Sequence, residues 1–123
     1  MRRVLKAAVL TFAFMGIIGP GVALAENGMA VYYSDVFQGR PTASKEIFDQ
    51  EGMTAAHKKL PFGSKVRVTN LENGKSVVLT INDRMARRNG NIIDVTRRAA
   101  QELGFENQGR TRVSIEPVQG AEK

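Results

Sequence analysis

Alternating hydrophobic and polar positions between residues 65 and 82 form the clearest regularity in the chain. The segment KVRVTNL (65–71) alternates valine with polar residues, and SVVLTIN (76–82) is rich in β-branched residues. Such runs are typical of β-strands. The connecting ENGK contains Asn73-Gly74, a pair that suits a turn whose central residues have positive φ. The pattern therefore predicts a β-hairpin.

Three further segments have the composition of short strands: MAVYYS (29–34), NIIDV (91–95) and TRVSIEPV (111–118). Together with the hairpin they make at least five short strands in one small domain. An open sheet of these strands would leave long edges to protect. We therefore predict a mostly β fold, closed into a small β-barrel.

A helix is predicted in TRRAAQELG (96–104), with Thr96 as its N-cap and Gly104 at its end. Ala99, Ala100 and Leu103 would form its buried stripe. By contrast, residues 39–63 are mostly polar and irregular. Connections of that length are usually functional or contain a short helix, and MTAAHKKL (53–60) is interpreted as one helical turn.

The first 25 residues have the pattern of a secretory signal peptide. Three basic residues precede the uncharged, largely apolar run 7–18, and small residues at Ala23 and Ala25 match a cleavage site. The alternative is a retained membrane anchor, since the uncharged stretch 7–25 is near bilayer-spanning length. We predict cleavage after Ala25, an exported protein of the periplasm or cell envelope, and a single domain over residues 26–123.

Composition then narrows the function. The chain has no cysteine, which excludes thiol catalysis, thiolate zinc sites and lipidation at an N-terminal cysteine. Because three basic residues belong to the signal peptide, the net charge of +6 falls to +3 in the mature chain. This small positive net charge argues against a nucleic-acid partner and is compatible with binding to an anionic polymer such as a cell wall.

Five ionisable residues are candidates for acid–base chemistry. They lie in the irregular segment or at the ends of predicted strands: Glu46, Asp49, His57, Asp83 and Asp94. An acid among apolar neighbours, as in LTIND and NIIDV, has a raised pKa and is able to donate a proton near neutral pH. Each also has a structural explanation: His57 could cover the barrel, Asp83 could form a surface ion pair with Arg84, and Asp94 could lie near a helix N-terminus. Glu46 and Asp49 could be solvated residues of a polar loop.

Other chemistries fit less well. The chain has no Gly-rich phosphate loop and no Gly-x-Ser-x-Gly motif. A single histidine with these acids matches no common metal-site spacing, so we expect neither a metal nor a cofactor. Basic residues including Arg84 and Lys58 are candidates to line a groove for an acidic ligand, although charged runs are usually solvated surface.

Three stretches together resemble the rare lipoprotein A family of bacterial cell-wall proteins. They are YYSDVFQGRPTASKEIFD, MTAAHKKLPFGSKVRVTNLENGKSVVLTINDR and IIDVTRRAAQELGF. The resemblance implies a six-stranded double-psi β-barrel with one or two short helices, and lytic transglycosylase activity on peptidoglycan. It implies that the five acid and histidine positions belong to the site. Peptidoglycan glycan strands are the expected partner, with proteins of cell division or cell-wall synthesis as a further class; we expect a monomer.

Three features depart from the family pattern. The lipid-bearing cysteine is missing, ASGE is replaced by ASKE, and NDRGP by NDRMA. Lys45 beside Glu46 would favour the ionised form of that acid and count against it as the proton donor.

Lytic transglycosylation needs one carboxyl that first protonates the leaving oxygen and then removes the proton of the C6 hydroxyl, closing a 1,6-anhydro ring. Asp83 is our first choice for this group and Asp94 the second. Glu46, Asp49 and His57 would orient substrate and stabilise charge, and Tyr33 could stack on a sugar. The alternatives are a non-catalytic, expansin-like glycan-binding module and a secreted binding or inhibitor domain.

Overall fold

The computed structural model describes residues 25–118. The predicted signal peptide lies outside this range apart from Ala25, so the cleavage site stays a prediction. Six strands, one α-helix and a 3-10 helix make up the fold. In chain order they are β1 (Glu26–Tyr32), the 3-10 helix (Asp35–Phe37), β2 (Thr54–His57), β3 (Lys65–Asn70), β4 (Ser76–Arg84), β5 (Ile93–Val95), α1 (Arg97–Leu103) and β6 (Arg110–Pro117).

The strands close into a barrel in the order β1-β5-β2-β4-β3-β6. The β1–β5 and β2–β4 pairs are parallel, and the other four neighbouring pairs are antiparallel. The mostly β, six-stranded double-psi barrel is thus confirmed, with one short α-helix. No helix within residues 25–118 has the length and apolar character needed to span a membrane.

The predicted hairpin is confirmed as β3 and β4, although β4 continues to Arg84. Its turn differs in detail: Gly74 has a positive φ of 81°, but Asn73 does not. The backbone N–H of Gly74 instead donates to the carbonyl of Asn70, at 2.8 Å. The remaining predicted strands are confirmed with boundaries shifted by one to three residues.

The helical turn predicted in residues 53–60 is wrong. Thr54–His57 forms strand β2, which lies between β4 and β5 and pairs with both. Its four residues are too few to show a period, and pairing on both sides outweighs the helix propensity of its alanines. His57 is therefore the last residue of a strand and not part of a loop.

Helix α1 forms as predicted. The Thr96 side chain accepts a hydrogen bond from the Ala99 N–H, and Gly104 ends the helix with a left-handed φ of 80°. Ala99, Ala100 and Leu103 are fully buried in the main core, which fills the barrel with aliphatic side chains of all six strands and Phe105.

A second, smaller apolar cluster lies on the opposite side of the barrel wall. Ala55 points into the main core, so its neighbour Ala56 points the other way. There Ala56 packs with Tyr33, Phe48 and Met85. Through Phe48, the segment between β1 and β2 packs against the barrel. The candidate site lies beside this apolar cluster.

Candidate active site

Two of the predicted acids lie on either side of one small residue in the barrel wall. Ala56 of β2 is the register partner of Asp83 in β4 and of Asp94 in β5. Register partners in neighbouring strands project from the same face of a sheet. Because strands lie about 4.8 Å apart, the Cα atoms of the two aspartates are roughly 10 Å apart. The short side chain of Ala56 lies between them, and Tyr33, Phe48 and Met85 pack on it.

A β-bulge turns Asp83 towards this face. Leu79 and Ile81 point into the main core, and strict alternation would send Asp83 inwards as well. The register shifts, however, so that Ala55 pairs with Ile81 while Ala56 pairs with Asp83. Asn82 is thus the extra residue, and the bulge re-aims the carboxyl that follows it.

The Asp83 carboxyl is held by three hydrogen-bond donors. Oδ2 accepts from the Tyr33 hydroxyl at 2.6 Å. Oδ1 accepts from the backbone N–H groups of Ala43, at 2.8 Å, and Arg84, at 2.9 Å. Donors on both oxygens suit a carboxylate better than a carboxylic acid, so this side chain provides a fixed negative charge.

Asp94 has the opposite environment. Its Oδ1 is buried and has no hydrogen-bond partner among the described residues. Burial first, and then the charge of Asp83, raise the pKa of Asp94 to about 7. Desolvation and a like charge both disfavour ionisation. Near neutral pH, Asp94 is therefore able both to give up and to take back a proton.

Tyr33 belongs to the second apolar cluster and also contacts Asp83. Its ring stacks on Phe48 with centroids 4.1 Å apart and meets Phe37 edge-on at 5.9 Å. Burial, followed by the hydrogen bond and the charge of Asp83, raises the pKa of Tyr33 far above its ordinary value. Its hydroxyl thus remains a donor to Asp83. With 7% of the residue exposed, the ring offers little surface for sugar stacking.

Glu46 approaches the site through Asn82. Its Oε1 accepts a hydrogen bond from Asn82 Nδ2 at 3.0 Å, and the Ser44 N–H donates to the Asn82 carbonyl at 3.3 Å. The bulge therefore fixes the loop that carries Glu46 beside Asp83. Glu46 itself is exposed, and Asn82 Oδ1 has no partner among residues 25–118.

The other predicted site residues are not brought together with the aspartates. His57 follows Ala56 in β2 and points to the opposite face. Asp49 is exposed, and its Oδ1 accepts from Gln38 Nε2 and from the Glu51 N–H. Lys58 donates to the Asn89 carbonyl.

Arg84 also points away from the aspartate pair, although it follows Asp83 in the chain. Its Nη1 donates to the Leu60 carbonyl at 2.8 Å. Its guanidinium lies 4.4 Å from the centre of the Phe62 ring, a cation–π arrangement.

Sequence reasoning missed Ala56, Asn82 and the Ala43 N–H. One signal was present: the run Val77, Leu79, Ile81 leads by alternation to an acid at the next core position. A carboxyl there is costly to bury, so the pattern could have indicated a bulge. Nothing in the sequence marks Ala56, because its importance depends on its two neighbours in the sheet.

No cluster of three or more histidine, aspartate or glutamate side chains within residues 25–118 has an arrangement that could hold a metal ion. The pair itself consists of two carboxyls in unlike environments, one held by three donors and the other raised in pKa.

A family model described as lytic transglycolase matches residues 25–115. The endolytic peptidoglycan transglycosylase RlpA of Neisseria meningitidis is 50% identical over 93 residues, which cover 76% of this chain and 39% of that protein. The chain spans less than two fifths of the length of the first curated relatives that it matches.

Two solved structures share the fold. The Streptomyces papain inhibitor has a TM-score of 0.64 at 18% identity, covering 80% of this chain and 98% of the inhibitor. The Clavibacter michiganensis expansin in complex with cellohexaose has a TM-score of 0.62 at 21% identity, covering 78% of this chain and 51% of the expansin. At these identities the likeness concerns the barrel alone.

Proposed function

The chain belongs to the lytic transglycolase family, and from that premise we propose that it cleaves the glycan strands of peptidoglycan by lytic transglycosylation. The bond broken joins N-acetylmuramic acid to N-acetylglucosamine, and the product carries a 1,6-anhydro ring. The observation that carries this proposal is the aspartate pair around Ala56, with one acid raised in pKa to about 7 and the other held by three donors.

We assign the proton transfers to Asp94, which reverses our first choice of Asp83. A proton donor near neutral pH needs a pKa close to that pH, and Asp94 meets this condition. Asp94 donates its proton to the glycosidic oxygen as the bond breaks. The resulting carboxylate then removes the proton of the C6 hydroxyl, whose oxygen closes the ring. The proton balance of the whole reaction is zero, and no water is consumed.

Asp83 has the complementary role in this proposal. Bond cleavage leaves positive, oxocarbenium-like charge on the muramoyl sugar. A carboxylate fixed beforehand by Tyr33, Ala43 and Arg84 stabilises that charge without reorganisation. After burial, its negative charge is the second cause of the raised pKa of Asp94. Glu46, exposed beside the bulge, is placed to contact the glycan.

Incubation of the mature protein with purified sacculi tests the proposal. Release of anhydromuropeptides supports transglycosylation, whereas products with reducing ends would indicate a hydrolase. Sedimentation with sacculi without any product would indicate the expansin-like binding module, and absence of both would favour a binding or inhibitor domain. The variant Glu72→Gln neutralises an exposed acid in the β3–β4 turn, away from the aspartate pair, and should release the same products as the unmodified protein.

The same proposal includes export of the protein. The basic and apolar pattern of residues 1–25 supports it, as does a substrate that lies outside the cytoplasm. Mass spectrometry of the protein from a cell-envelope fraction should give an N-terminus at Glu26. A protein retaining residues 1–25 would instead support the membrane anchor.

A further inference from the structure

We propose that a second site, a basic pocket around His57, binds a carboxylate group of the glycan substrate. The pocket has a volume of about 180 Å³ and is lined by Glu26, His57, Lys58, Lys59 and Arg87. These five residues are called the carboxylate pocket below. The inference rests on the proposed function for its choice of ligand, while the pocket itself is separate from the aspartate pair.

The hydrogen bonds of His57 show what the pocket accepts. Nδ1 accepts from the backbone N–H groups of Lys59 and Leu60, each at 3.1 Å. A nitrogen that accepts has no proton of its own, so the proton of the neutral imidazole is on Nε2. This Nε2–H donates to the Glu26 carboxylate at 3.1 Å. At the buried end of the pocket, the Nε2–H of His57 is thus a hydrogen-bond donor to a carboxylate, that of Glu26.

The charges of the lining favour an anion. Three cations face one carboxylate, which leaves an excess of two positive charges. Within residues 25–118 neither Lys59 nor Arg87 takes part in an ion pair, and Lys58 donates only to a backbone carbonyl. The Glu26 side chain is 44% exposed whereas the His57 side chain is 3% exposed. Glu26 is therefore free to swing into solvent when another carboxylate enters.

The position of the pocket connects it to the aspartates. His57 follows Ala56 directly, so the two sites lie on opposite faces of β2 at the same end of the barrel. Arg87 follows Asp83 by four residues, just beyond the end of β4. In the proposal, a glycan strand that crosses this end of the barrel reaches the pocket next to the aspartate pair.

The size of the pocket limits the ligand. A water molecule takes up roughly 30 Å³ in the liquid, so the volume corresponds to about six waters. That is enough for a carboxylate on a short carbon stem and not for a disaccharide. In peptidoglycan such a group is either the lactyl carboxylate of muramic acid, where the peptide has been removed, or a carboxylate of the peptide itself.

Titration of the mature protein with small glycans, followed by NMR of the His57 imidazole, tests the inference. We expect shifts with N-acetylmuramic acid, whose lactyl carboxylate is free, or with muramoyl dipeptide, whose one free carboxylate belongs to the peptide. The active compound identifies the source, and a response to both shows that any short carboxylate suffices. N-acetylglucosamine, which lacks a carboxylate, should leave the imidazole unshifted.

The double variant Lys59→Gln/Arg87→Gln should weaken binding of the active compound at least tenfold. The matched control Lys75→Gln/Arg110→Gln removes two exposed cations elsewhere and should bind as the unmodified protein does. An equal response to N-acetylglucosamine, no response to any compound, or full affinity in the pocket variant would overturn the proposal. Because this readout is binding, failure of turnover on sacculi would contradict the proposed function and leave the pocket to be judged separately.

Discussion

Asp83 and Asp94 are chemically identical side chains that the fold makes different. Both are partners of Ala56, yet donors satisfy one carboxyl on both oxygens, whereas the other has a buried oxygen with no partner in the part of the chain that the structure describes. A pair of acids with environments that push their pKa values apart is typical of acid–base catalysis. In the proposed function this difference, and not the mere presence of two acids, decides which carboxyl transfers the proton.

Replacing each aspartate by asparagine should separate these roles. Asp94→Asn removes the proton donor and should lower anhydromuropeptide release by at least a hundredfold. The unmodified protein should lose activity as the pH rises through about 7, because Asp94 then ionises.

Asp83→Asn removes a like charge, so the pKa of Asp94 should fall, as measured by carboxyl-carbon NMR. An unchanged Asp94 titration in that variant would contradict the proposed coupling.

Tyr33→Phe tests the hydroxyl apart from the ring. The ring still packs on Phe48, but the 2.6 Å hydrogen bond to Asp83 is lost, and a hydrogen bond to a charged group contributes about 1.5–3 kcal/mol. We expect turnover to fall roughly tenfold or more, with the protein still folded at 25 °C. Tyr32→Phe is the control, since it loses a hydrogen bond to the Glu106 carbonyl away from the acids. Equal activity in the two variants would remove Tyr33 from the site.

Among the helices and strands, the sequence pattern correctly predicted those whose conformation depends on residues close together in the chain. The β3–β4 hairpin and α1 with its Thr96 cap follow from period and end signals, and the structure confirms them. Strand β2 was missed because its four residues gain their conformation from β4 and β5. The bulge at Asn82 and the positions of Asp83 and Asp94 on either side of Ala56 depend on register between strands far apart in the chain, which one sequence does not display.

The buried side chain of Gln50 is one of the contacts that attach the segment between β1 and β2 to α1. Gln50 Nε2 donates to the Tyr33 carbonyl and to Asp35 Oδ1, each at 2.9 Å, and its Oε1 accepts from the Arg97 N–H at 2.8 Å. The side chain therefore satisfies a donor at the helix N-terminus and fixes the backbone of the tyrosine that contacts Asp83.

Gln50→Leu should loosen this attachment. The change keeps the volume but leaves buried polar groups unsatisfied, at a cost of about 2–4 kcal/mol in the free energy of unfolding. Turnover should fall as well, since Tyr33 is less well held. Urea denaturation and sacculus digestion measure the two effects. Gln101→Leu, at an exposed position of α1, should change neither, and a Gln50 variant as stable as that control would contradict the argument.

At the scale of the whole molecule, a small domain without a disulfide tolerates a buried acid. Closure of the barrel leaves no open sheet edge, and the aliphatic core is continuous across all six strands. This stability offsets the cost of an active site in which Asp94 is poorly solvated. A protein that carries a functional site of this kind is commonly less stable than the same fold would be without it.

That cost should appear as a pH dependence of the free energy of unfolding. The pKa of Asp94 is about 7 in the folded protein and about 3.9 in the unfolded chain. Between these values the folded state binds more protons, so stability falls as the pH rises from about 4 to 7 and then levels off. Asp94→Asn cannot ionise, and its stability relative to the unmodified protein should increase over the same range, by a few kcal/mol in total. Denaturation at pH 4, 5.5, 7 and 8 measures the difference, with Glu72→Gln as the exposed control. Parallel curves for Asp94→Asn and the unmodified protein would show that the pKa of Asp94 is the same in the folded and unfolded protein, and the proton transfers would then have to be assigned to another group.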